Sequence, residues 1–98
     1  MMDKKEDSQS QGFILVAEGS APNRNVLTNL LEKLGYNICA CPDGDAAWEV
    51  IETTHEKIIA IFSDFMMPNI DGLGLLKQVR RLEKFKDIPF FLISKLSS

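Results

Sequence analysis

Runs of apolar residues separated by polar, glycine-containing segments divide the chain into alternating strands and helices. Residues 13–17, 58–62 and 90–93 are apolar at every position. This pattern is typical of strands that are buried on both faces of a parallel sheet. Residues 36–41 indicate one more strand, the second along the chain, so the pattern predicts a sheet of four strands.

The segments between these strands repeat apolar residues at helical spacing. The first begins after Ser20, which is suited to cap a helix, has Pro22 in its first turn, and ends at Gly35. The residues predicted to face inward are Val26, Leu27, Leu30, Leu31 and Leu34 in the first helix, Ala46, Ala47, Val50 and Ile51 in the second, and Leu75, Leu76, Val79, Leu82 and Phe85 in the third.

The order β-α-β-α-β-α-β with short connections predicts right-handed crossovers and an α/β fold with a doubly wound parallel sheet. A chain of 98 residues has room for one small core. Residues 1–12 are rich in charged and polar side chains, and we interpret them as a flexible polar leader to a domain formed by residues 13–98.

Composition narrows the possible partners and location. A net charge of -3 argues against nucleic acid or an anionic membrane as a partner of this segment. The sequence has no apolar stretch of membrane-spanning length and no signal-peptide core, which predicts a cytoplasmic protein. Cys39 and Cys41 lie two apart in a predicted strand, about 6.6 Å from each other, so we interpret them as buried thiols and not as a disulfide.

The candidate chemistry lies where the third strand ends. Asp64 follows the apolar run of residues 58–62 after a single serine. In open α/β sheets the carboxyl ends of the strands form the edge at which ligands bind. Asp64 is therefore a candidate nucleophile or metal ligand.

Several motifs around Asp64 resemble a known family. They are Glu18-Gly19-Ser20 after the first strand, Asp43-Gly44 before the second helix, Asp64-Phe65-Met66-Met67-Pro68-Asn69-Ile70-Asp71-Gly72, and Ile88-Pro89 before a strand that ends at Ser94. Residues 14–94 resemble the receiver domain of two-component response regulators. The resemblance implies a flavodoxin-like fold with strand order 2-1-3-4. It also implies truncation after the fourth strand, because a complete receiver continues through a fifth strand and further helices.

The resemblance also implies a function. Asp64 would accept a phosphoryl group from a histidine kinase or phosphotransfer protein, and the hydroxyl of Ser94 would bind that group. Glu18, Asp64 and the backbone carbonyl of Met66 would hold Mg²⁺. The chain would act as a signalling phosphoprotein and not as an enzyme. A haloacid-dehalogenase phosphatase fits worse, because such an enzyme needs a second acid where this chain has Met66.

Two departures from the family pattern matter, and the first leaves an alternative open. Gly19 replaces the second of two adjacent acids, so we expect weak Mg²⁺ binding. Because the missing fifth strand would also carry the lysine that pairs with the phosphate in the family, we expect slow or no uptake of phosphate from small donors. The alternative is a pseudo-receiver, a protein-interaction module that works without phosphorylation. The second departure is the missing fifth strand, which would leave the fourth strand as an unprotected edge. We expect a homodimer through that edge or through exchange of a terminal element.

Overall fold

The structure is a computed structural model, and it describes residues 12–94. The strands are β1 (Phe13–Ala17), β2 (Asn37–Cys41), β3 (Ile58–Asp64) and β4 (Phe90–Ile93); the helices are α1 (Ala21–Lys33), α2 (Gly44–Thr53) and α3 (Gly72–Arg80), followed by a 3₁₀ turn (Glu83–Phe85). The predicted alternation of strands and helices is confirmed. Of the predicted leader, residues 1–11 lie outside the described residues, and Gly12 is buried against the backbone of Lys57.

The described strands form one parallel sheet in the order β2-β1-β3-β4. This is the strand order predicted for a flavodoxin-like receiver fold. Strand β1 is central and buried at all five positions, which explains why its sequence is apolar throughout. Because β4 has a neighbour on one side only, it is an edge strand of the described sheet.

Side chains on the two faces of the sheet form separate cores. The larger core joins β1 and β3 to α2 and α3, with Leu15, Ile61, Leu75 and Val79 fully buried. The smaller one packs Ile14 and Val16 against α1. Alternate residues of β1 enter opposite cores, as the pleat of a strand requires.

The predicted inner face of α1 includes more residues than the structure buries. Leu31 is buried and Leu27 is half-buried, as expected. Three further apolar residues of that prediction, Val26, Leu30 and Leu34, are more than half exposed. They recur every four residues and therefore form a stripe of their own beside the Leu27 and Leu31 contact. Only the Leu27 and Leu31 side of α1 packs into the smaller core.

Three predicted boundaries also need correction. The third helix ends at Arg80, because Arg81 and Leu82 donate their N–H groups to carbonyls three residues back, and Phe85 reaches the core from the 3₁₀ turn. Strand β2 begins one residue later than predicted, at Asn37. Strand β3 continues through Ser63 to Asp64, because its last residues pair with β4.

Candidate functional site

The register of the sheet brings the predicted site residues to one edge. Ala17 of β1 lies opposite Ser63 of β3, and Asp64 lies opposite Ile93 of β4. Glu18 and Asp64 each follow the Ala17–Ser63 pair by one residue, on strands about 4.8 Å apart. Ser94 follows Ile93 in the same way. The three predicted side chains are thus attached to adjacent positions along the carboxyl edge of the sheet.

Asp64 is held at the end of β3 by both backbone and side chain. Its side-chain Oδ1 accepts a hydrogen bond of 3.3 Å from the N–H of Met66. The hydroxyl of Ser63 donates to the Asp64 carbonyl at 3.0 Å, and the N–H of Phe65 donates to the Ile93 carbonyl at 2.9 Å. Only 4% of Asp64 is exposed to solvent. Its carboxylate is therefore fixed in a largely water-free position at the edge of the sheet.

Glu18 is fixed just as firmly. It is 2% exposed, its N–H donates to the Cys41 carbonyl at 3.0 Å, and its Oε2 accepts from the N–H of Ser20 at 2.8 Å. Arg24 donates from Nη1 to the Glu18 carbonyl at 2.8 Å. The side chain of Arg24 therefore ties the first turn of α1 to the end of β1. Two buried carboxylates, Glu18 and Asp64, are thereby held on neighbouring strands, an arrangement that favours a cation between them.

Gly19 leaves room at this edge. Its φ lies outside the left-handed region, and a Cβ built on it would meet only the Pro42 carbonyl oxygen, at 3.6 Å. That distance is an ordinary van der Waals contact. The backbone of Gly19 thus accepts a side chain without strain, and the missing second acid is a chemical difference and not a steric necessity.

The loop after Asp64 is built around a close approach of α3 to the sheet. The N–H of Gly72 donates to the Phe65 carbonyl at 3.0 Å, and a Cβ on Gly72 would lie 2.4 Å from the Asp64 carbonyl oxygen. Asp71 caps α3 by accepting from the N–H of Gly74 at 2.7 Å. The Asp71-Gly72 pair of the motif therefore starts the helix and allows it to lie against β3.

Met66 and Ser94 differ from the two acids in exposure. The side chain of Met66 is exposed, which suits a residue that was predicted to act through its backbone carbonyl. Ser94 is also exposed, next to the half-buried Ile93 at the end of β4. The structure places both at the predicted edge, and their roles stay predictions.

Among residues 12–94, no group of three or more His, Cys, Asp or Glu side chains is arranged to hold a metal ion.

The two cysteines are free thiols, as predicted. Cys41 is buried and Cys39 is half-buried. Burial and, to a smaller extent, the neighbouring Cys39 raise the pKa of the Cys41 thiol to about 12. Cys41 therefore stays protonated at neutral pH and acts as an apolar core residue.

Sequence reasoning missed several contacts at this edge. Nothing in the sequence pattern showed that the side chain of Arg24 turns back to the Glu18 carbonyl. The contact of Asn69 with Asp45 of α2, at 3.0 Å from Nδ2 to Oδ2, joins residues 24 positions apart. Such long-range polar contacts leave no periodic signal in the sequence.

Within residues 12–94, no helix is both long enough and apolar enough to cross a membrane.

Comparison with known proteins identifies the family of this chain. Residues 14–98 match the response regulator receiver domain family. Chemotaxis protein CheY1 of Helicobacter pylori is 34% identical over 82 residues, which are 83% of this chain and 65% of CheY1. The 3',5'-cyclic-nucleotide phosphodiesterase regA of Dictyostelium discoideum is 38% identical over 89 residues, which are 91% of this chain but 11% of that protein. The chain thus spans less than two thirds of the length of these curated relatives.

Solved structures give the same fold. The signal receiver domain of a histidine kinase from Syntrophus aciditrophicus has a TM-score of 0.79 and 30% identity, and the match covers 89% of this chain and 64% of that one. Response regulator TrrA from Thermotoga maritima, solved in complex with Mg(2+)-BeF, has a TM-score of 0.77 and 27% identity, with 88% and 71% covered. The fold and the site define a receiver domain. The chain belongs to the response regulator receiver family of two-component systems.

Proposed function

We propose that this receiver domain accepts a phosphoryl group on Asp64 from a histidine kinase or a phosphotransfer protein. The observation that supports this most is the pair of buried carboxylates, Glu18 and Asp64, held at neighbouring strand ends on the edge where α/β folds bind ligands. Only one of the two lies in the Asp-x-x-Met-Pro-x-x-Asp-Gly motif, and that one is Asp64. It is therefore the nucleophile in this proposal.

In the proposed transfer, a carboxylate oxygen of Asp64 attacks phosphorus in line with the bond to the donor imidazole nitrogen. The new bond joins oxygen to phosphorus, the phosphorus–nitrogen bond breaks, and the electron pair leaves with the imidazole, which takes up a proton. Burial of Asp64 limits competing attack by water. The hydroxyl of Ser94, exposed at the neighbouring strand end, would donate a hydrogen bond to a phosphoryl oxygen.

The donor set suits a weakly bound Mg²⁺. Glu18, Asp64 and the Met66 carbonyl supply oxygen ligands, and Mg²⁺ is commonly held by one or two carboxylates with water and phosphate in its other positions. When bound, the ion would supply positive charge opposite the phosphoryl oxygens. Weak affinity follows from Gly19, which provides no ligand where the resemblance implies an acid.

The alternative proposal is a pseudo-receiver that signals through protein contacts without phosphate. It is favoured by Gly19, which supplies no carboxylate where the resemblance implies an acid. In both proposals the chain is a signalling module and not an enzyme, and the phosphodiesterase activity named for regA belongs to that protein. The predicted cytoplasmic location and the predicted absence of nucleic-acid and membrane contacts stay predictions.

We also propose that this chain forms a homodimer through β4. Its residues are Phe-Phe-Leu-Ile, and Phe91 and Leu92 are 49% and 37% exposed on opposite faces of the strand. Phe91 stacks on Phe62 at 4.7 Å between ring centroids, and about half of its surface stays exposed to solvent. An apolar edge strand without charge or bulge readily pairs with another strand, and two copies meeting across a two-fold axis would satisfy both edges.

Binding of beryllofluoride, a phosphoryl mimic, tests the main proposal. Fluorine NMR with Mg²⁺ and beryllofluoride should give bound signals for the wild-type chain and none for Asp64→Asn. The matched control is Asp71→Asn, which removes an acid of the same motif but keeps the helix cap, because Asn caps as well as Asp. Bound signals that persist in Asp64→Asn would contradict the proposal. Their absence from the wild-type chain would favour the pseudo-receiver.

A further inference from the structure

The loop between Asp64 and α3 is anchored to α2, an element that carries none of the proposed site residues. At its start, Phe65 is held by β4 and by Gly72; at its end, Asp71 caps α3. Between these ends, Met67 and Ile70 pack partly into the core. Asn69, in the middle of the loop, donates a hydrogen bond from its side chain to Asp45 of α2.

The geometry of this contact depends on particular residue types on both sides. Asn69 has a φ of 67°, a left-handed conformation that Asn and Asp tolerate better than other residues with side chains. Asp45 lies in the first turn of α2, whose N-terminus is capped by Asp43 at 2.8 Å from the Ala46 N–H. Gly44 allows the start of α2 to lie close to the loop, because a Cβ at this position would lie 2.3 Å from the Ile70 carbonyl oxygen.

The contact is close to the proposed metal ligand. Asn69 is three residues after Met66, and Pro68 between them has a fixed φ, so a shift of Asn69 is passed on to the backbone of residues 66 and 67. The Met66 backbone itself donates a long hydrogen bond to Asp64, at 3.3 Å. Hence the position of the Met66 carbonyl depends on what holds Asn69.

We propose that the N-terminal turn of α2 acts as a clamp on the loop after Asp64, with Asp45 and Asn69 as positioning residues for the Met66 carbonyl. The metal part of this inference rests on the proposed function, whereas the clamp itself rests on the contacts alone. Neither residue touches the reacting atoms. Their effect on phosphoryl transfer and Mg²⁺ binding is exerted through the loop.

A donor–acceptor swap tests the clamp directly. Asn69→Asp keeps the left-handed conformation accessible but places two carboxylates against each other. The double variant Asp45→Asn/Asn69→Asp restores one amide facing one carboxylate with the same net charge as the wild type. Amide hydrogen exchange of residues 66, 67, 69 and 70 should speed up about fivefold in the single variant and return to the wild-type rate in the double variant.

Matched variants separate the clamp from general effects on α2. Asp45→Asn alone keeps a neutral oxygen acceptor for Asn69 and should speed up the loop amides less than Asn69→Asp does. Glu49→Ala removes an exposed acid from the same helix and should leave the loop amides at the wild-type rate. A single variant Asn69→Asp that exchanges like the wild type, or a double variant no slower than the single one, would overturn the clamp.

Magnesium affinity, measured by calorimetry, tests the link to the site. Asn69→Asp adds a negative charge, which by itself would strengthen cation binding, yet the clamp predicts about threefold weaker binding that the double variant restores. Asp64→Asn separates the two claims. If it binds Mg²⁺ like the wild type, the proposed metal site is wrong, while hydrogen exchange still decides on the clamp. If it loses Mg²⁺ and Asn69→Asp does not weaken binding, the link between clamp and metal is wrong.

Discussion

Replacing Gly19 with aspartate should strengthen Mg²⁺ binding. The substitution adds a carboxylate next to Glu18, at the position where the family resemblance implies a second acid. The backbone permits it, because Gly19 is outside the left-handed region and a Cβ would meet only the Pro42 carbonyl oxygen, at 3.6 Å. The change therefore tests chemistry without a steric penalty.

The size of the effect follows from Coulomb's law. A carboxylate 4 Å from a divalent cation attracts it by about 2 kcal/mol even at the dielectric constant of water, which corresponds to roughly thirtyfold in affinity. Desolvation and ordering of the new side chain offset part of this gain, so we expect Gly19→Asp to bind Mg²⁺ about tenfold more tightly than the wild type.

Isothermal titration calorimetry with Mg²⁺ measures this difference. Fluorescence of Trp48 is a poorer reporter, because that residue lies on α2 and packs toward the larger core. Gly19→Asn is the matched control, since it has the same shape without the charge and should bind more weakly than Gly19→Asp. Equal affinities for the wild type and Gly19→Asp would refute the reasoning that Gly19 is what weakens the site.

Three further predictions concern stability and assembly. Gly72→Ala should lower the free energy of unfolding by about 2 kcal/mol in chemical denaturation, because its Cβ would lie 2.4 Å from a backbone carbonyl oxygen, whereas Gly19→Ala should have a much smaller effect. Leu92→Lys should shift the chain from dimer toward monomer in analytical ultracentrifugation at micromolar concentration. Val26→Lys, an equivalent change on the exposed stripe of α1, should leave the dimer intact. A wild-type chain that is a monomer would contradict the β4 interface. Between pH 9 and 12 the folded chain keeps the Cys41 proton that the unfolded chain releases, because burial raises the thiol pKa from 9.0 to about 12. Stability should therefore fall as the pH rises through this window, and less steeply in Cys41→Ala; parallel slopes in denaturant titrations would show that this thiol does not contribute.

The sequence predicted most of the fold because its buried strands and amphipathic helices have distinct periods. Strand β1 is apolar at every position and is buried at every position. The prediction was wrong where a helix carries more apolar residues than the sheet covers, as with Val26, Leu30 and Leu34 on α1. Periodicity shows which residues share a helix face, but it does not show how wide the opposing surface is.

The candidate site was predictable in part for a related reason. Parallel strands end at a common edge, so Glu18, Asp64 and Ser94 could be placed together from their positions in the chain alone. The contacts that fix this edge, such as Asn69 with Asp45, depend on how loops and helix ends meet in space. No periodic pattern in the sequence encodes these contacts.

Phosphorylation of Asp64 is the central claim, and mapping the phosphoryl group tests it most directly. The wild-type chain and Gly19→Asp are incubated with acetyl phosphate and saturating Mg²⁺, reduced with borohydride to trap the acyl phosphate, and analysed by peptide mass spectrometry. The account predicts modification at Asp64, slow or undetectable in the wild type, faster in Gly19→Asp, and absent once Asp64 is replaced by Asn in either background. Modification at another residue, or none in either chain, would contradict it.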